Sequence, residues 1–353
     1  MRFLALRRAR LIRPLSRFHA RIAVLSVAIF ATAALAAGSA SAQSAPIGTG
    51  VVVINTNLAY QGGRAAGTGM VLTSSGEILT NNHVIRGATS IKVVVPGTRA
   101  SYVAKVVGYD VTSDVAVLQT VGATNLETIG ADSSSGLKVG QAVTAVGNAG
   151  GTGSLTSSTG KLTALGRAIT VSDDQGGSES LVGLVETNAD LRPGDSGGPL
   201  LDSAGNAVAM DTAAGLPSGF SARNTVHAFA IPINKALTIA GQIESGTAST
   251  VVHVGSTAFL GVEVITLRDE APKGPARSGA TIAQVTRGAP AAAAGLVAGD
   301  TITALDGRSV STPAALGTLI LRETPGVRVS VKYTDQSSVS HTTSVRLASG
   351  PPQ

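Results

Sequence analysis

The chain has 353 residues, with 43% hydrophobic, 14% charged and 3% aromatic content, 43 glycines and no cysteine or tryptophan. This balance fits a globular, strand-rich protein with many turns, and the lack of cysteine excludes cysteine proteases, thiolate-held zinc and thiol redox chemistry. The net charge of +6 belongs to residues 1–42, which hold Arg2, Arg7, Arg8, Arg10, Arg13, Arg17 and Arg21 and no acid. Without those seven, 20 basic residues face 21 acidic ones, and no nucleic-acid patch is left in the body.

Residues 1–42 have the layout of a secretory signal. An arginine-rich stretch is followed by an apolar stretch over 22–38, and Ala40-Ser41-Ala42 places small residues where signal peptidase reads them. Cleavage after Ala42 is expected. An uncleaved N-terminal anchor stays open, because about 17 apolar residues lie at the short edge of a membrane span.

From residue 50 to about 240, short apolar runs alternate with Gly/Ser/Asn/Asp turns. The spacing predicts strands at 51–54, 69–72, 91–95, 115–118, 142–146, 184–186, 207–211 and 227–231, and a helix over 233–243. This pattern indicates an all-β barrel or sandwich. His83 follows the apolar run Ile78-Leu79, where a base is held rigidly yet faces a cleft. Asp114 opens the run Val115-Ala116-Val117-Leu118, where a carboxylate is buried beside an imidazole. Asp110, its competitor, reads as an exposed turn residue. Arg192-Pro193-Gly194-Asp195-Ser196-Gly197-Gly198-Pro199-Leu200 sets a serine in a tight glycine turn ahead of an apolar strand. A serine nucleophile needs such a turn, so that backbone N–H groups point at the oxyanion formed after attack.

Residues 244–257 are rich in Gly, Ser and Thr and read as a linker, with an ordered surface loop as the alternative. A second unit spans 258–347. It has strands at 259–264, 281–285, 327–333 and 340–347, a short helix with a proline near its start within 288–296, a turn, strand and hairpin tip over 297–307, and an amphipathic helix over 312–322. Residues 348–353 form a tail.

The segments Gly67-Thr68-Gly69-Met70, Thr80-Asn81-Asn82-His83-Val84, Asp114-Val115-Ala116-Val117-Leu118, Gly194-Asp195-Ser196-Gly197-Gly198-Pro199-Leu200 and Phe229-Ala230-Ile231-Pro232 together resemble the HtrA/Deg family of trypsin-like serine proteases. The order His, Asp, Ser is that of chymotrypsin-like folds. The second unit, through Gly-Ala-Pro-Ala-Ala-Ala-Ala-Gly-Leu and Gly299-Asp300-Thr301-Ile302, resembles the PDZ domain that follows such protease domains. The resemblance implies a mainly β protein: two packed six-stranded barrels over 43–243, then an α+β PDZ domain.

It further implies a catalytic triad of His83, Asp114 and Ser196, and an oxyanion hole from the N–H groups of Gly194 and Ser196. Substrate backbone is expected along 226–230. The loop Phe259-Leu260-Gly261-Val262 is expected to hold a peptide's C-terminal carboxylate while the peptide adds as a strand. Asp190, His227 and Phe229 are specificity-pocket candidates. The family's preference is for small or medium apolar side chains, whereas Asp190 would select a basic one and His227 an acidic one. Asp195 stands where the family usually has Asn; it either pairs with Arg192 or faces solvent. Loops at 168–180 and 213–225 are expected to couple peptide binding to the oxyanion hole.

The expected activity is hydrolysis of misfolded exported proteins with no cofactor and no metal. The expected partners are unfolded proteins and peptide C-termini, not nucleic acid. A membrane enters only through an uncleaved leader, and a homo-oligomer is an open possibility. The alternative is a PDZ-based chaperone or scaffold with little proteolysis.

Overall fold

The computed structural model describes residues 47–172, 178–212, 227–265 and 278–353. The leader and the 213–225 loop therefore lie outside the described residues. The first six strands are β1 (Val51–Leu58), β2 (Gly63–Val71), β3 (Glu77–Thr80), β4 (Ser90–Val94), β5 (Ser101–Asp110) and β6 (Val115–Thr120), with one helical turn, α1 (Asn82–Ile85), after β3. They run β5-β4-β1-β2-β3-β6, and a β5–β6 pairing closes the ring. The next six are β7 (Ala142–Gly147), β8 (Thr156–Ser172), β9 (Ser178–Thr187), β10 (Pro199–Leu201), β11 (Ala207–Thr212) and β12 (Ala228–Pro232), which form a second closed barrel.

The apolar runs are continuous rather than alternating because both strand faces are buried. Side chains of a strand point alternately to its two faces. In β6, Ala116 and Leu118 join the core of the first barrel, while Val115 and Val117 join a second core. In β12, Ala228 and Ala230 fill the second barrel, while Phe229 and Ile231 turn to that same second core. This core is shared by both barrels and by α2 (Ile233–Glu244), which contributes Ile233, Ala236, Ile239 and Ile243 at helical spacing. Truncating a fully buried member such as Met210 to Ala costs about 2–5 kcal/mol. The shared core fixes one barrel against the other and so sets the distance between residues contributed by each.

Beyond α2, β13 (Val252–Val254) pairs with β5. The expected linker is therefore partly strand. β14 (Thr257–Phe259) follows, then β15 (Val262–Ile265) and β16 (Ala280–Val285). After α3 (Pro290–Ala293) come β17 (Thr301–Leu305), β18 (Arg308–Ser309), α4 (Pro313–Leu321), β19 (Arg328–Thr334), β20 (Ser340–Arg346) and β21 (Ala348–Gly350). The sheet runs β15-β16-β17-β19-β20, with β18 on β17, and β15 is its terminal strand. Thr312 caps α4, its Oγ1 accepting the Ala315 N–H at 3.1 Å, and Pro313 takes the first turn, where a missing donor costs nothing.

Several expectations change. The strand expected over 259–264 breaks at Leu260-Gly261, where Gly261 has a φ of 84°. The expected tail carries β21, paired with β14. Most of the expected 168–180 loop is strand, because β8 and β9 form one long hairpin through Ser172 and Ser178. The polar, glycine-bearing sequence of β8 and of the first part of β9 hides them, and only 184–186 is an expected strand there; β5 is also not among the expected strands. Among the described residues, no helix is long and apolar enough to cross a membrane.

Candidate active site

His83 sits on α1, the single turn after β3, rather than on the strand end itself. Asp114 follows the β5–β6 turn in a left-handed conformation (φ 55°) and is buried. Its Oδ2 lies 2.8 Å from His83 Nδ1, and its Oδ1 accepts the His83 backbone N–H at 2.9 Å. Thr212 Oγ1 donates to the same Oδ2 at 2.8 Å, and Asn81 Nδ2 donates to the Asp114 carbonyl at 2.9 Å. Burial by itself pushes the Asp114 carboxyl up. The charge and hydrogen bonds of His83, with the Thr212 bond, outweigh burial and hold it below the usual carboxylate range. An ionised Asp114 makes Nδ1 the protonated nitrogen and leaves Nε2 as the basic one. The His83 side chain is 34% exposed against 2% for Asp114, so the imidazole reaches the surface and its carboxylate does not.

Asp110 is buried, not exposed. Its Oδ1 accepts from Thr112 Oγ1 at 2.7 Å and from the Ser113 N–H at 3.0 Å, so it caps the turn that delivers Asp114.

Ser196 lies in the turn before β10 and is buried. Gly194 and Gly197 have φ of 101° and 84°. A Cβ on Gly194 would meet the Asn148 carbonyl, and one on Gly197 would meet the Thr68 carbonyl and Thr80 Oγ1. Thr68 of the first barrel ties this turn down. Its N–H donates to the Ser196 carbonyl at 2.9 Å, and its Oγ1 donates to the Gly194 carbonyl at 2.7 Å while accepting the Asn148 N–H at 2.9 Å. Thr80 Oγ1 in turn donates to the Thr68 carbonyl at 2.7 Å. The Gly197 N–H donates to the Asp211 carbonyl at 2.8 Å. Among the described residues, no acceptor takes the N–H of Gly194 or Ser196.

Asp195 is buried. Its Oδ2 accepts the Arg192 backbone N–H at 2.9 Å, while its Oδ1 has no partner among the described residues. Burial raises its carboxyl above the usual range, and the charge of Asp190 adds to this. The Arg192 guanidinium pairs with Asp190 instead, at 2.6 Å, so neither expected arrangement of Asp195 holds. Asp211, on β11, is fully buried with both oxygens unpartnered among the described residues. Burial, then the charge of Asp195, pushes it well above the usual carboxylate range.

The pocket candidates do not come together as expected. Asp190 is half-exposed and neutralised by Arg192 at the surface. Phe229 is buried in the core shared by the barrels, because β12 turns it away from the barrel interior. His227 Nδ1 lies 2.8 Å from Glu186 Oε1; the buried Glu186 also accepts from Thr163 Oγ1 at 2.9 Å and pairs with Arg167 at 2.8 Å. Burial opposes ionisation of Glu186, but these three partners hold it below the usual range. Substrate cannot pair at Phe229 or Ala230, since barrel closure commits them to β11 on one side and β9 on the other. Residue 226 lies outside the described residues.

In the second unit, Phe259 ends β14, Leu260 is buried, and Val262 opens β15. The carbonyls of Leu260 and Gly261 accept the N–H groups of Ala291 and Thr286 at 2.9 Å each, which folds this loop against α3. Sequence reasoning missed Thr68, Thr212 and Asp211. Each lies in an ordinary strand run, and only the packing of one barrel on the other gives it a role.

The model of the family described as "Trypsin-like peptidase domain" matches residues 67–210, and that described as "PDZ domain" matches residues 258–345. The chain is thus a two-barrel trypsin-like peptidase unit followed by a PDZ unit. The serine protease PepD of Mycobacterium tuberculosis is 33% identical over 326 residues, covering 88% of this chain and 66% of that protein. The periplasmic serine endoprotease DegP of Salmonella typhimurium is 34% identical over 302 residues, covering 81% and 60%, and that of Escherichia coli K12 is 35% identical over 254 residues, covering 71% and 50%. A solved structure titled "HtrA-type protease AlgW with tripeptide" is 29% identical, covers 87% of this chain and 95% of that one, and has a TM-score of 0.48. The chain belongs to the HtrA/Deg family of trypsin-like serine proteases with a C-terminal PDZ domain. It spans between 50% and 66% of the length of these curated relatives.

Proposed function

We propose that this chain is an exported serine endopeptidase that hydrolyses peptide bonds in unfolded or damaged proteins. The observation that carries the reading is the buried, ionised Asp114 holding His83 through Nδ1 at 2.8 Å, with Thr212 beneath it. Ser196 Oγ attacks the scissile carbonyl as His83 Nε2 takes its proton. The tetrahedral oxyanion settles on the N–H groups of Gly194 and Ser196, each worth about 3 kcal/mol at the barrier. His83 then gives the proton to the departing amine, the C–N bond breaks, and water releases the acyl group by the same steps in reverse. No cofactor takes part in this scheme. The leader-like sequence of residues 1–42 and the periplasmic relatives support export.

Binding of peptide C-termini is assigned to the PDZ unit. β15 is the terminal strand of its sheet, and an added strand would extend it there, with the carboxylate at Phe259-Leu260-Gly261-Val262. With Asp190 neutralised and Glu186 engaging His227, the preference for small or medium apolar side chains at the cleaved bond is retained.

The test is reaction of purified residues 43–353 with a fluorophosphonate serine-hydrolase probe, with and without unfolded casein, against Ser196→Ala. Labelling of the wild type alone, in either condition, is expected. No labelling in both conditions overturns the enzyme reading.

A further inference from the structure

The single turn α1 carries His83, yet little within it holds it in place. It is four residues long, its N-cap Asn81 makes no side-chain cap bond, and a helix this short is not stable by itself. Its position has to come from tertiary bonds. Asp114 supplies those at the His83 face. A second set comes from residues 348–353.

β21 pairs with β14 in the register Phe259↔Ala348, Ala258↔Ser349 and Thr257↔Gly350. Gly350 lies directly against the Phe259 ring, and a Cβ there would overlap it. The chain then crosses from the PDZ unit to the first barrel. The Pro352 carbonyl accepts the Gly87 N–H at 2.8 Å, just beyond the last residue of α1. The Gln353 main-chain oxygen accepts from Asn82 Nδ2 at 3.1 Å, at the first residue of α1 and next to His83. The Gln353 N–H donates to Tyr109 Oη at 3.3 Å, and that hydroxyl bonds Thr257 Oγ1 at 3.0 Å. Asn82 and Tyr109 are fully buried. Both ends of the His83 turn are therefore bonded to two adjacent residues of one extended segment, and that segment is laced to the strand leading into Phe259-Leu260-Gly261-Val262. Tyr60 of the first barrel stacks on Phe259, with ring centroids 5.2 Å apart, and closes the same junction.

We propose that residues 348–353 are a strap that sets the position of His83, with Asn82 and Tyr109 as positioning residues that tie the PDZ unit to the catalytic turn. The inference rests on the reading of His83 as the general base. It makes the geometry of the base depend on a segment more than 260 positions away in sequence.

Three variants of the full chain test it. Gly350→Val drives β21 off β14. Tyr109→Phe keeps the buried ring and removes the hydroxyl. Asn82→Asp keeps the shape and removes the donor. Each is expected to lower kcat on a fluorogenic peptide about tenfold, since a displacement of about 1 Å at a reacting group costs up to about a hundredfold. KM is expected to stay within about twofold. The low-field NMR resonance of the His83 Nδ1 proton, which a role in folding alone would not move, is expected to shift or broaden. If Gly350→Val and Tyr109→Phe, folded by circular dichroism, keep wild-type kcat and an unchanged resonance, the strap is refuted. A wild type that neither hydrolyses peptide nor takes the fluorophosphonate probe refutes the enzyme reading instead; the resonance still decides whether the strap holds His83.

Discussion

The two barrels contribute to the site in opposite ways. The first barrel's pair is saturated: both oxygens of Asp114 are bonded, to the His83 ring and backbone and, from the second barrel, to Thr212. The second barrel's turn around Ser196 is held at its carbonyls by the Thr68 main chain and hydroxyl, and Asp195 within it and Asp211 near it have three buried oxygens unpartnered among the described residues. The difference follows from what each half has to do. A charge that must stay in place during proton transfer needs every lone pair met. A turn that must offer its own N–H groups to an incoming oxyanion must not let neighbouring acceptors consume them. Acidic side chains close to such a turn are tolerable only while uncharged, in keeping with the raised carboxyl of Asp211.

The largest test of this contrast is Ser196→Ala, expected to lower kcat by at least about 10⁴-fold with unchanged circular dichroism. Asp114→Asn is expected to cost about 10⁴-fold in kcat, by favouring the wrong tautomer of His83. It also has a pH signature in stability. Asp114 is held below its unfolded pKa of about 3.9, so its stabilisation is present above that value and is lost as pH falls through the lower folded one. The gap in unfolding free energy between wild type and Asp114→Asn is therefore expected to narrow as a urea titration is moved below about pH 4. Thr212→Val removes one donor to a buried charge and is expected to lower kcat/KM about tenfold. If it were silent, the claim that saturation of Asp114 matters would fail.

Asp211→Asn is the smallest effect and tests the other half. The folded pKa of Asp211 lies well above its unfolded value, so its proton stabilises the fold fully below about pH 4, and that contribution is lost as pH rises through the folded pKa. The amide cannot ionise. At pH 8 the variant is expected to melt about 2–4 °C higher than wild type, with the two converging near pH 4. Equal melting temperatures at both pH values would show that Asp211 carries its charge without cost.

Where an apolar run has both faces buried, as at Val115–Thr120 and Ala228–Pro232, the strand is visible in sequence to within a residue or two. Of the hairpin Thr156–Ser172 and Ser178–Thr187 only 184–186, with Leu184 and Val185 buried, is visible, because along the rest polar and glycine residues interrupt the buried ones and pairing between the two strands makes it strand. The same division runs through the site. His83, Asp114 and Ser196 each announce themselves locally, at a strand boundary or in a glycine turn. Asp190, His227 and Phe229 were placed by distance along the chain, and Arg192, Glu186 and the shared core settle their surroundings.

By itself the sequence determined a strand-rich first unit, a second smaller unit and the local settings of His83, Asp114 and Ser196, since buried periodicity and turn chemistry are written in neighbouring residues; the two barrels, the PDZ unit and the proposed triad came from its resemblance to the HtrA/Deg family. Tertiary structure alone decided that Thr68 anchors the nucleophile turn, that Thr212 completes Asp114, that β12 is paired on both sides at Phe229 and Ala230, and that residues 348–353 reach the His83 turn. Each depends on groups brought together across more than 80 positions or on closure of a barrel, and no local pattern of side chains encodes where a distant hydrogen-bond partner will stand.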